Sequence, residues 1–546
     1  MNVGSLFTRH AWYRTHHPAF VFQEQRLTYA ELNRSINRLA NSLLGLGVTK
    51  GDKVVTLLPN SLELYEAYWA CGKIGAVIVP MSTLLMEQAL KNLISDSDAV
   101  ALITSSQFMD RIDAIRPELT NIPDNRFLLT DREDAPGFAS YHGLKREAGD
   151  GEPDALEVSG EDPFNIMYSS GTTGMPKGIV HTHFIRSMYG LCFASSFRMT
   201  PESVTLHAGA IVFNGAFVDL MPTVFQGATY ILLPQFDPVE YIDTIARERV
   251  THVMMVPAQI IAMLNAPNFA PEKLESLEMI LTLGAPLHRK HKDELNRLLP
   301  GRFYELYGVT EGFVTVLDRE DVAAKPDSVG VPPQFFQMKI LDEQNREADP
   351  YTVGEICGSG PIRMKEYYKR PDLTAQTVVD GMVHTGDLGY VDNDGYLYLV
   401  DRKKDMIISG GVNVYPRDIE EVAIQHPAVN EVAVFGVPHD KWGESPVAAV
   451  VLNQTAQETA EEIRDWINTR VEAKFQRVSD CPSAPTAFSA SSLSASSCSA
   501  SFWTGWRSRS LSSPSSPPSW PRSIFPSKGT VWWTIPRSSG SLCSWR

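Results

Sequence analysis

The sequence lacks any long hydrophobic run. No apolar stretch reaches the roughly 18 residues that a membrane-spanning helix requires. Residues 1–20 also lack the apolar core of a signal peptide, because His10, Arg14, His16 and His17 interrupt them. These absences argue against a transmembrane segment and predict a cytoplasmic location.

The chain is also short of basic residues and of paired cysteines. Its 49 lysines and arginines are outnumbered by 64 aspartates and glutamates, for a net charge of -15. A nucleic-acid-binding surface is basic, so we expect no nucleic-acid partner. Cys71, Cys192 and Cys357 lie far apart, without the spacing of a disulfide framework or a metal site, which fits a reducing compartment.

Length and hydrophobic pattern predict a globular α/β protein with more than one domain. A chain of 546 residues is too long for a single core. Short β-branched runs alternate with helical patterns, and this alternation is typical of helices packed on largely parallel sheets. We predict strands at 53–58, 75–79, 229–233 and 252–256, and helices at 30–46 and 237–249.

A smaller α+β domain is predicted from about Asp401 onward. Its elements are a helix at 414–426, strands at 431–436 and 447–452, and a second helix at 460–474.

Acidic residues are absent from the segment 481–546, which differs in composition from the rest of the chain. It contains 22 serines, eight prolines, six of the ten tryptophans, five arginines and one lysine, Lys528. No periodicity of a strand or a helix is present. One interpretation is a natural disordered Ser/Pro tail, although such tails are usually poor in tryptophan. We favour the other interpretation, a frameshift near Cys481.

Residues 169–178, SSGTTGMPKG, have the composition of a loop that binds phosphate. Its glycines allow a close approach of the backbone to an anion, its hydroxyls donate hydrogen bonds, and Lys177 adds a positive charge. The other candidate residues are Ser169, Ser170, Gly171, Thr172, Thr173, Gly174 and Gly178. It is not a Walker A loop, because Pro176 stands where that motif has its second glycine. Taken alone, the decamer could equally be a flexible surface loop.

The decamer resembles the phosphate loop of the adenylate-forming superfamily, which contains acyl-CoA synthetases, adenylation domains of peptide synthetases, and luciferases. Four other motifs resemble that family, in the order that the family has them. They are LTYAEL at 27–32, an early signature; YELYGVTE at 304–311, the adenine and magnesium motif; HTGDLG at 384–389, the ribose motif; and DRKKDMIISGG at 401–411, the interdomain hinge. The resemblance covers about residues 20–480.

The resemblance implies a domain organisation and a reaction. Residues 1–400 would form an N-terminal ATP- and acyl-binding domain, residues 401–480 an incomplete, mobile C-terminal domain, and residues 481–546 an aberrant, disordered tail. A carboxylic acid and ATP would give an acyl-adenylate and pyrophosphate, and the thiol of coenzyme A would then displace AMP. ATP, Mg²⁺ and coenzyme A are the implied cofactors and co-substrates. No carrier-protein domain follows, which favours free coenzyme A as the acceptor.

The family's nucleotide residues map onto five positions outside the loop. Thr310 would contact the α-phosphate, Glu311 would ligate magnesium and Tyr307 would stack on adenine. Asp387 would accept hydrogen bonds from the ribose hydroxyls, and Arg402 would also hold the ribose. The implied catalytic residues are Thr172, Lys177, Thr310 and Glu311. Without the resemblance, Tyr307 would be read as a core aromatic, Glu311 as a surface acid and residues 385–387 as a turn.

Three hinge residues are assigned by the same resemblance. Lys404 falls at the hinge position, two residues after Arg402, and a solvated lysine is the alternative. Gly410 and Gly411 would approach the pantetheine arm of coenzyme A, where side chains would obstruct it. A plain turn is the alternative for these glycines.

The acid-binding pocket is assigned from residues 213–220, FNGAFVDL. Asn214 stands where amino-acid-activating relatives carry an aspartate, so an α-ammonium would lack a partner there and an amino-acid substrate is disfavoured. Many acyl-CoA synthetases have histidine or an aromatic residue at this position, so Asn214 departs from their pattern too. We predict a medium- to long-chain fatty acid or an aryl acid. The predicted lining residues, for which core packing is the alternative, are Phe213, Phe217, Met221, Val256, Gly284, Ala285 and Val309.

The family's adenylation lysine has no counterpart. In the family it lies near the C-terminus in a Pro-x-x-x-x-Gly-Lys-like motif, whereas Lys528 has different neighbours and precedes its glycine. The resemblance therefore predicts impaired adenylation for the chain as written. Two alternatives stay open: a catalytically crippled adenylate-binding protein and an amino-acid adenylation enzyme.

Overall fold

The computed structural model describes residues 2–154, 157–169, 176–402, 405–409, 412–439, 442–453, 456, 458–471 and 476–479. The helices are α1 (Ser5–Tyr13), α2 (Tyr29–Gly45), α3 (Leu62–Ile74), α4 (Glu87–Asp96), α5 (Met109–Ile115), α6 (Tyr141–Glu147), α7 (His183–Ser196), α8 (Phe217–Gln226), α9 (Pro238–Glu248), α10 (Pro257–Leu264), α11 (Arg289–Leu298), α12 (Pro371–Thr377), α13 (Pro416–Ala423) and α14 (Ala460–Asn468).

The strands alternate with these helices over most of the chain. They are β1 (Pro18–Phe22), β2 (Gln25–Thr28), β3 (Lys53–Leu57), β4 (Val77–Pro80), β5 (Ala99–Thr104), β6 (Phe127–Leu129), β7 (Ala139–Ser140), β8 (Pro163–Ser169), β9 (Lys177–Thr182), β10 (Val204–His207), β11 (Thr229–Leu232), β12 (His252–Met255), β13 (Met279–Thr282), β14 (Phe303–Val309), β15 (Phe313–Leu317), β16 (Gln337–Leu341), β17 (Gly354–Ser359), β18 (Glu366–Tyr367), β19 (Val378–Val379), β20 (Met382–Val391), β21 (Leu397–Arg402), β22 (Ile407–Ser409), β23 (Val412–Val414), β24 (Val429–His439) and β25 (Gly443–Leu452).

The chain divides into two compact units, a large N-terminal one and a small C-terminal one. The larger unit consists of the residues up to Lys339 together with Cys357–Thr385 and Asp392–Tyr398. The smaller unit consists of Ile340–Ile356, Gly386–Val391 and the residues from Leu399 onward. Both units combine helices and strands, so the α/β fold class is confirmed.

One eight-stranded sheet of the larger unit has the strand order β15-β14-β13-β12-β10-β11-β1-β2. The pairs from β14 to β1 are parallel, and only the outermost pairs, β15 with β14 and β1 with β2, are antiparallel. Strands β11 to β13 are buried along their whole length, as parallel strands covered on both faces are. Side chains of α9, α10 and α11, among them Ile242, Ile260 and Leu295, pack into the core beside this sheet.

A second eight-stranded sheet of the larger unit has the order β18-β9-β8-β4-β3-β5-β6-β7. Its pairs from β8 to β7 are parallel, whereas β9 and β18 are antiparallel additions at one edge. The predicted largely parallel sheets are therefore confirmed. The strand predicted at 75–79 begins at Val77 instead, because Gly75 ends α3 in a left-handed conformation with φ of 70°.

The early sequence signature at 27–32 is the start of helix α2. Thr28 is the N-cap, and its side chain accepts a hydrogen bond from the backbone N–H of Glu31. The Glu31 carboxylate accepts in return from the Thr28 N–H at 2.9 Å. This capping box satisfies two backbone donors that would otherwise have no partner in the first turn.

The smaller unit has a four-stranded antiparallel sheet of order β23-β22-β25-β24. Its core contains Ile419 of α13, Val434 of β24 and Ile463 of α14. The helix predicted at 414–426 begins only at Pro416, since Val414 pairs with Ile407 in the sheet. The two predicted strands are confirmed and are longer than predicted, because they pair from Val429 with Leu452 to His439 with Gly443.

Among the residues that the structure describes, no helix is both long enough and apolar enough to cross a membrane.

Candidate functional site

Four sequence-predicted residues follow the ends of neighbouring strands in one sheet. Asn214 comes after β10, Val256 directly after β12, Gly284 after β13 and Thr310 directly after β14. These strands are adjacent and parallel, in the order β14-β13-β12-β10. Their carboxyl ends therefore lie at the same edge, where ligands bind in open α/β sheets. This topology brings positions almost a hundred residues apart to one edge of the sheet.

The Gly/Ser/Thr-rich loop joins strands β8 and β9, which pair in antiparallel register. Ser169 and Lys177 are Cα partners and so mark the two ends of the loop. Gly178 has a packing reason to be glycine, since a Cβ there would lie 2.8 Å from Ile166 Cγ2. The predicted loop residues Ser170, Gly171, Thr172, Thr173 and Gly174 lie outside the described residues.

Lys177 and Glu311 both contact one tyrosine, Tyr367. The Nζ of Lys177 is 4.9 Å from the centroid of the Tyr367 ring, and the Tyr367 hydroxyl donates to Glu311 Oε1 at 2.5 Å. Burial, reinforced by the Glu311 carboxylate, raises the pKa of Tyr367 above its ordinary value. The sequence motifs do not include Tyr367; it reaches this position because β18 pairs with β9, placing Tyr367 opposite Ile179.

The segment that carries Thr310 and Glu311 packs against residues 362–364. It forms the tip of the β14–β15 hairpin, and the Met364 N–H donates to the Glu311 carbonyl at 2.8 Å. Gly312 has φ of 103°, and a Cβ there would lie 2.1 Å from the Ile362 carbonyl oxygen, so only glycine fits. Tyr307 lies on β14 with 9% of its surface exposed. Its stacking on adenine stays a prediction.

Glu311 fits the role of a magnesium ligand. Its carboxylate is half-buried, is oriented by the Tyr367 hydroxyl and lies on the same tyrosine as Lys177. Mg²⁺ in nucleotide enzymes is usually bound by one or two carboxylates together with phosphate oxygens and water, and Glu311 provides such a carboxylate.

The two ribose candidates lie together in the smaller unit. Arg402 Nε is 3.4 Å from Asp387 Oδ1, and the Asp387 side chain is the less exposed of the two, at 14% against 51%. The preceding residue, Gly386, has φ of 72°, which lets the chain turn there. The hinge candidates Lys404, Gly410 and Gly411 lie outside the described residues.

The predicted pocket residues separate into an exposed group and a core group. Phe213 and Val256 are 52% and 41% exposed, and Gly284 and Ala285 are exposed beside them. A Cβ on Gly284 would contact Val256 Cγ1 at 3.9 Å, which shows how near these two segments are. Val309 is half-buried. Phe217 and Met221, by contrast, are wholly buried in α8, so core packing accounts for both.

Asn214 is tied to two residues of helix α7 that the sequence motifs do not indicate. Its Oδ1 accepts from Arg186 Nη2 at 2.8 Å, and its Nδ2 donates to the Tyr189 hydroxyl at 3.2 Å. The Arg186 side chain is completely buried, and its guanidinium carbon lies 4.0 Å from the centroid of the Phe217 ring. The buried Arg186 cation is therefore in direct contact with the Asn214 side chain.

Comparison with known proteins gives matches along most of the chain. The family model of AMP-binding enzymes matches residues 7–368, and the model of the AMP-binding enzyme C-terminal domain matches residues 418–485. The chain is 36% identical over 480 residues to the feruloyl-CoA synthase of an Amycolatopsis species, which covers 86% of this chain and 92% of that protein. It is 35% identical over 477 residues to the long-chain-fatty-acid–CoA ligase FadD13 of Mycobacterium tuberculosis, with the same coverage of 86% and 92%. The crystal structure of ATP-bound MatB from Rhodopseudomonas palustris superposes with a TM-score of 0.80 at 30% identity, covering 88% of this chain and 94% of that one.

Proposed function

The chain belongs to the AMP-binding enzyme family and is an AMP-forming acid–thiol ligase, and we propose that it converts a medium- to long-chain fatty acid or an aryl acid into its coenzyme A thioester in the cytoplasm. In the first half-reaction the carboxylate attacks the α-phosphate of ATP, which forms the acyl-adenylate and releases pyrophosphate. In the second, the thiol of coenzyme A attacks the acyl carbon and AMP leaves.

The observation that carries this proposal is the meeting of Lys177 and Glu311 on Tyr367. Adenylation brings several negative charges together, and they must be neutralised as the new bond forms. Lys177 supplies a positive charge at the end of the glycine-rich loop, and Glu311 supplies a ligand for Mg²⁺. When bound, Mg²⁺ polarises the phosphate oxygens and neutralises their charge.

Tyr367 positions the Glu311 carboxylate in this scheme. Its hydroxyl stays protonated at neutral pH, since burial raises its pKa further above an already high value. It therefore donates to one carboxylate oxygen throughout the reaction.

The class of acid is inferred from the surroundings of Asn214. An α-ammonium bound there would meet the buried positive charge of Arg186, 2.8 Å beyond the amide oxygen, and would find no carboxylate partner. The exposed apolar side chains of Phe213 and Val256 favour an aliphatic or aromatic substrate. Two relatives are named for acids of these classes, ferulic acid and long-chain fatty acids.

The proposed organisation assigns residues 1–400 to the ATP- and acyl-binding domain and 401–480 to an incomplete mobile domain, whereas the tail predicted at 481–546 lies outside the described residues. Because the adenylation lysine has no counterpart, we expect adenylation to be about 10²- to 10³-fold slower than in an intact ligase, by analogy with the loss of an oxyanion donor. A protein that binds the adenylate without making it is the alternative.

Binding of ATP with Mg²⁺ tests the nucleotide half of the site. We expect ATP and Mg²⁺ to raise the melting temperature of the full chain by mass action. Asp387→Ala should weaken ATP binding by roughly tenfold, because the ribose hydroxyls lose a charged acceptor. The matched control is Asp465→Ala, in the same unit, whose carboxylate pairs with Arg464 and is 68% exposed. Equal ATP affinity in wild type and Asp387→Ala would contradict the ribose assignment.

Separate assays of the two half-reactions distinguish a ligase from an adenylate-binding protein. Pyrophosphate release reports adenylation, and supplying a pre-formed acyl-adenylate with coenzyme A reports thioester formation. We expect slow pyrophosphate release and faster thioester formation with fatty or aryl acids. Pyrophosphate release at ordinary ligase rates would contradict the expectation that the missing lysine slows adenylation. A screen in which amino acids outperform the other acids would contradict the proposed substrate class.

A further inference from the structure

Arg186 is a fully buried basic side chain beside the candidate site. It lies on helix α7, and none of its surface is exposed. Its Nε donates to Asn165 Oδ1 at 2.8 Å, and its Nη2 donates to Asn214 Oδ1 at 2.8 Å and to His181 Nδ1 at 3.2 Å. The rings of Phe217 and Tyr189 flank the guanidinium, with centroids 4.0 and 4.7 Å from its central carbon.

Every hydrogen-bond partner of Arg186 in the described residues is neutral. Asn165 and Asn214 are amides. The other nitrogen of His181, Nε2, is 3.1 Å from the Thr310 carbonyl oxygen, which can only accept, so Nε2 carries the proton and Nδ1 accepts from Arg186. Burial and the Arg186 charge hold the pKa of His181 well below its ordinary value, so the imidazole does not become a second cation at neutral pH.

One nitrogen of the guanidinium, Nη1, donates no hydrogen bond to the described residues. Arginine has five N–H donors, and the three contacts above involve Nε and Nη2. Nη1 is buried and has no hydrogen-bond acceptor among the described residues. A buried charge with unsatisfied donors is costly unless an anion completes it.

The other buried cations of the larger unit do have anions. Within its described residues Lys73, Lys145 and Lys292 are also buried, and each contacts a carboxylate: Glu152, Glu66 and Glu305, respectively. The chain therefore neutralises its buried lysines internally, and Arg186 is the exception beside the substrate-binding edge.

We propose that Arg186 determines substrate specificity by binding, through Nη1, a second carboxylate on the acid, so that the substrate class is a dicarboxylic acid. This inference rests on the proposed function and narrows it, since one carboxylate of a fatty or aryl diacid reacts while the other is recognised. The partner that reaches the surface is Asn214, which is half-buried, so the diacid approaches from its side.

The carboxylate that pairs with Arg186 is not the one that reacts. The reacting group has to lie near the α-phosphate and hence on the Thr310 side, whereas the His181 ring separates Arg186 from the Thr310 carbonyl. Adenylation also removes the charge of the reacting carboxylate, so an arginine paired with it would become unneutralised in the intermediate. A second carboxylate keeps its charge through both half-reactions.

Binding of non-hydrolysable acyl-adenylate analogues tests this inference without requiring turnover. The probes are the acyl-sulfamoyl adenosines of octanoic and octanedioic acid, with 4-ethylbenzoic and 4-(carboxymethyl)benzoic acid as an aryl pair, titrated calorimetrically into the full chain. We expect the diacid analogue of at least one pair to bind about tenfold more tightly or better, as a charge-assisted hydrogen bond provides. Arg186→Met should abolish that ratio.

A second variant guards against a folding defect in Arg186→Met. Asn214→Asp is nearly isosteric and puts a carboxylate oxygen at the 2.8 Å position beside Nη2, so the protein neutralises its own arginine. We expect it to lose the diacid preference as well. The control is Arg198→Met, just after the same helix, whose guanidinium pairs with Asp318 at the surface and should not affect the ratio.

The outcomes separate this inference from the proposed function. Equal binding of diacid and monoacid analogues by wild type, or a ratio that survives in both Arg186→Met and Asn214→Asp, overturns the assignment of Arg186 and leaves the ligase function standing. Failure of all four analogues to bind overturns both.

Discussion

Two kinds of buried cation occur among the described residues of the larger unit. Lys73 is 2.6 Å from a Glu152 oxygen and 2.7 Å from Asn33 Oδ1, and Lys145 is 2.5 Å from Glu66. These lysines connect helices: Lys73 of α3 reaches Asn33 of α2, and Lys145 of α6 reaches Glu66 of α3. Burial lowers the pKa of Lys73, and Glu152 opposes that shift. A carboxylate of the protein neutralises each of these lysines, and no ligand is needed, so their role is structural.

Arg186 differs in its partners and in its position. It contacts two asparagines and a neutral histidine, and it lies behind Asn214 at the edge where the parallel strands end. The Arg186 charge therefore has no counter-charge among the described residues, whereas the buried lysines are paired with carboxylates. A buried charge without a counter-charge is costly, and we infer that an anionic ligand supplies the counter-charge of Arg186.

The largest expected loss of stability comes from removing the carboxylate partner of a buried lysine. Lys292 and Glu305 are each 4% exposed in their side chains. Glu305→Gln leaves the buried lysine charge without a counter-charge, and we expect it to lower the free energy of unfolding by about 3–5 kcal/mol. Chemical denaturation of the ligand-free chain measures this.

The control for that prediction is an exposed pair. Arg289 and Asp293 lie one turn apart on α11 with 46% and 59% of their side chains exposed. Asp293→Asn should cost less than about 1 kcal/mol. If Glu305→Gln and Asp293→Asn lowered the free energy of unfolding equally, burial would not be what makes the ion pair essential.

Arg186→Met should affect the stability of the ligand-free chain much less than Glu305→Gln does. The variant loses three hydrogen bonds, but it also removes a buried charge that has no counter-charge, and the two effects oppose each other. We expect the free energy of unfolding to change by no more than about 1 kcal/mol. A loss as large as that of Glu305→Gln would show that Arg186 is a structural charge.

Asn214→Asp should stabilise the ligand-free chain by roughly 1 kcal/mol at pH 7, because a charge-assisted hydrogen bond replaces a neutral one. The neighbouring arginine would depress the pKa of the new carboxyl, so the gain should be present above the unfolded-state pKa of about 4 and be lost as the pH falls through the folded-state value. Denaturation curves measured at neutral and acidic pH test this, and a gain that does not depend on pH would contradict the ion-pair explanation.

The smallest effect concerns His181. Burial is the main cause of its lowered pKa and Arg186 the second. Arg186→Met should therefore raise the pKa of His181 but leave it below the ordinary value of about 6.5. Since a lowered folded-state pKa gives stability that is lost as pH falls below the unfolded value, the wild type should weaken below about pH 6.5. Titration of ¹⁵N-histidine-labelled protein by NMR measures the pKa of His181. The same His181 pKa in wild type and Arg186→Met would contradict the contact between the two residues.

Much of the fold follows from local sequence patterns. The β-branched runs at 53–58, 229–233 and 252–256 form strands within one residue of prediction, because short buried strands have continuous apolar sequences. The motif at 304–311 ends at a hairpin tip, and the loop at 169–178 joins two paired strands. These features depend on residues near one another in the chain.

The surroundings of Asn214 and Glu311 could not be predicted in the same way. Arg186 occurs in a helix, and only the packing of α7 against segments at 165, 181 and 214 buries it. Tyr367 reaches Glu311 across 56 positions of sequence. Phe217 and Met221 share the apolar character of Phe213, yet they lie in the core because of the face of α8 on which they fall. Such long-range contacts leave no periodic signal in the sequence.

A crystal structure of the chain with the sulfamoyl adenosine of octanedioic acid would show whether Arg186 binds a carboxylate of the substrate. We expect the free carboxylate to lie within about 2.7–2.9 Å of Arg186 Nη1, the distance of a charge-assisted hydrogen bond, and the adenosine to lie on the side of Thr310 and Glu311. A bound analogue whose free carboxylate lies elsewhere, with Nη1 still lacking an acceptor, would contradict the claim.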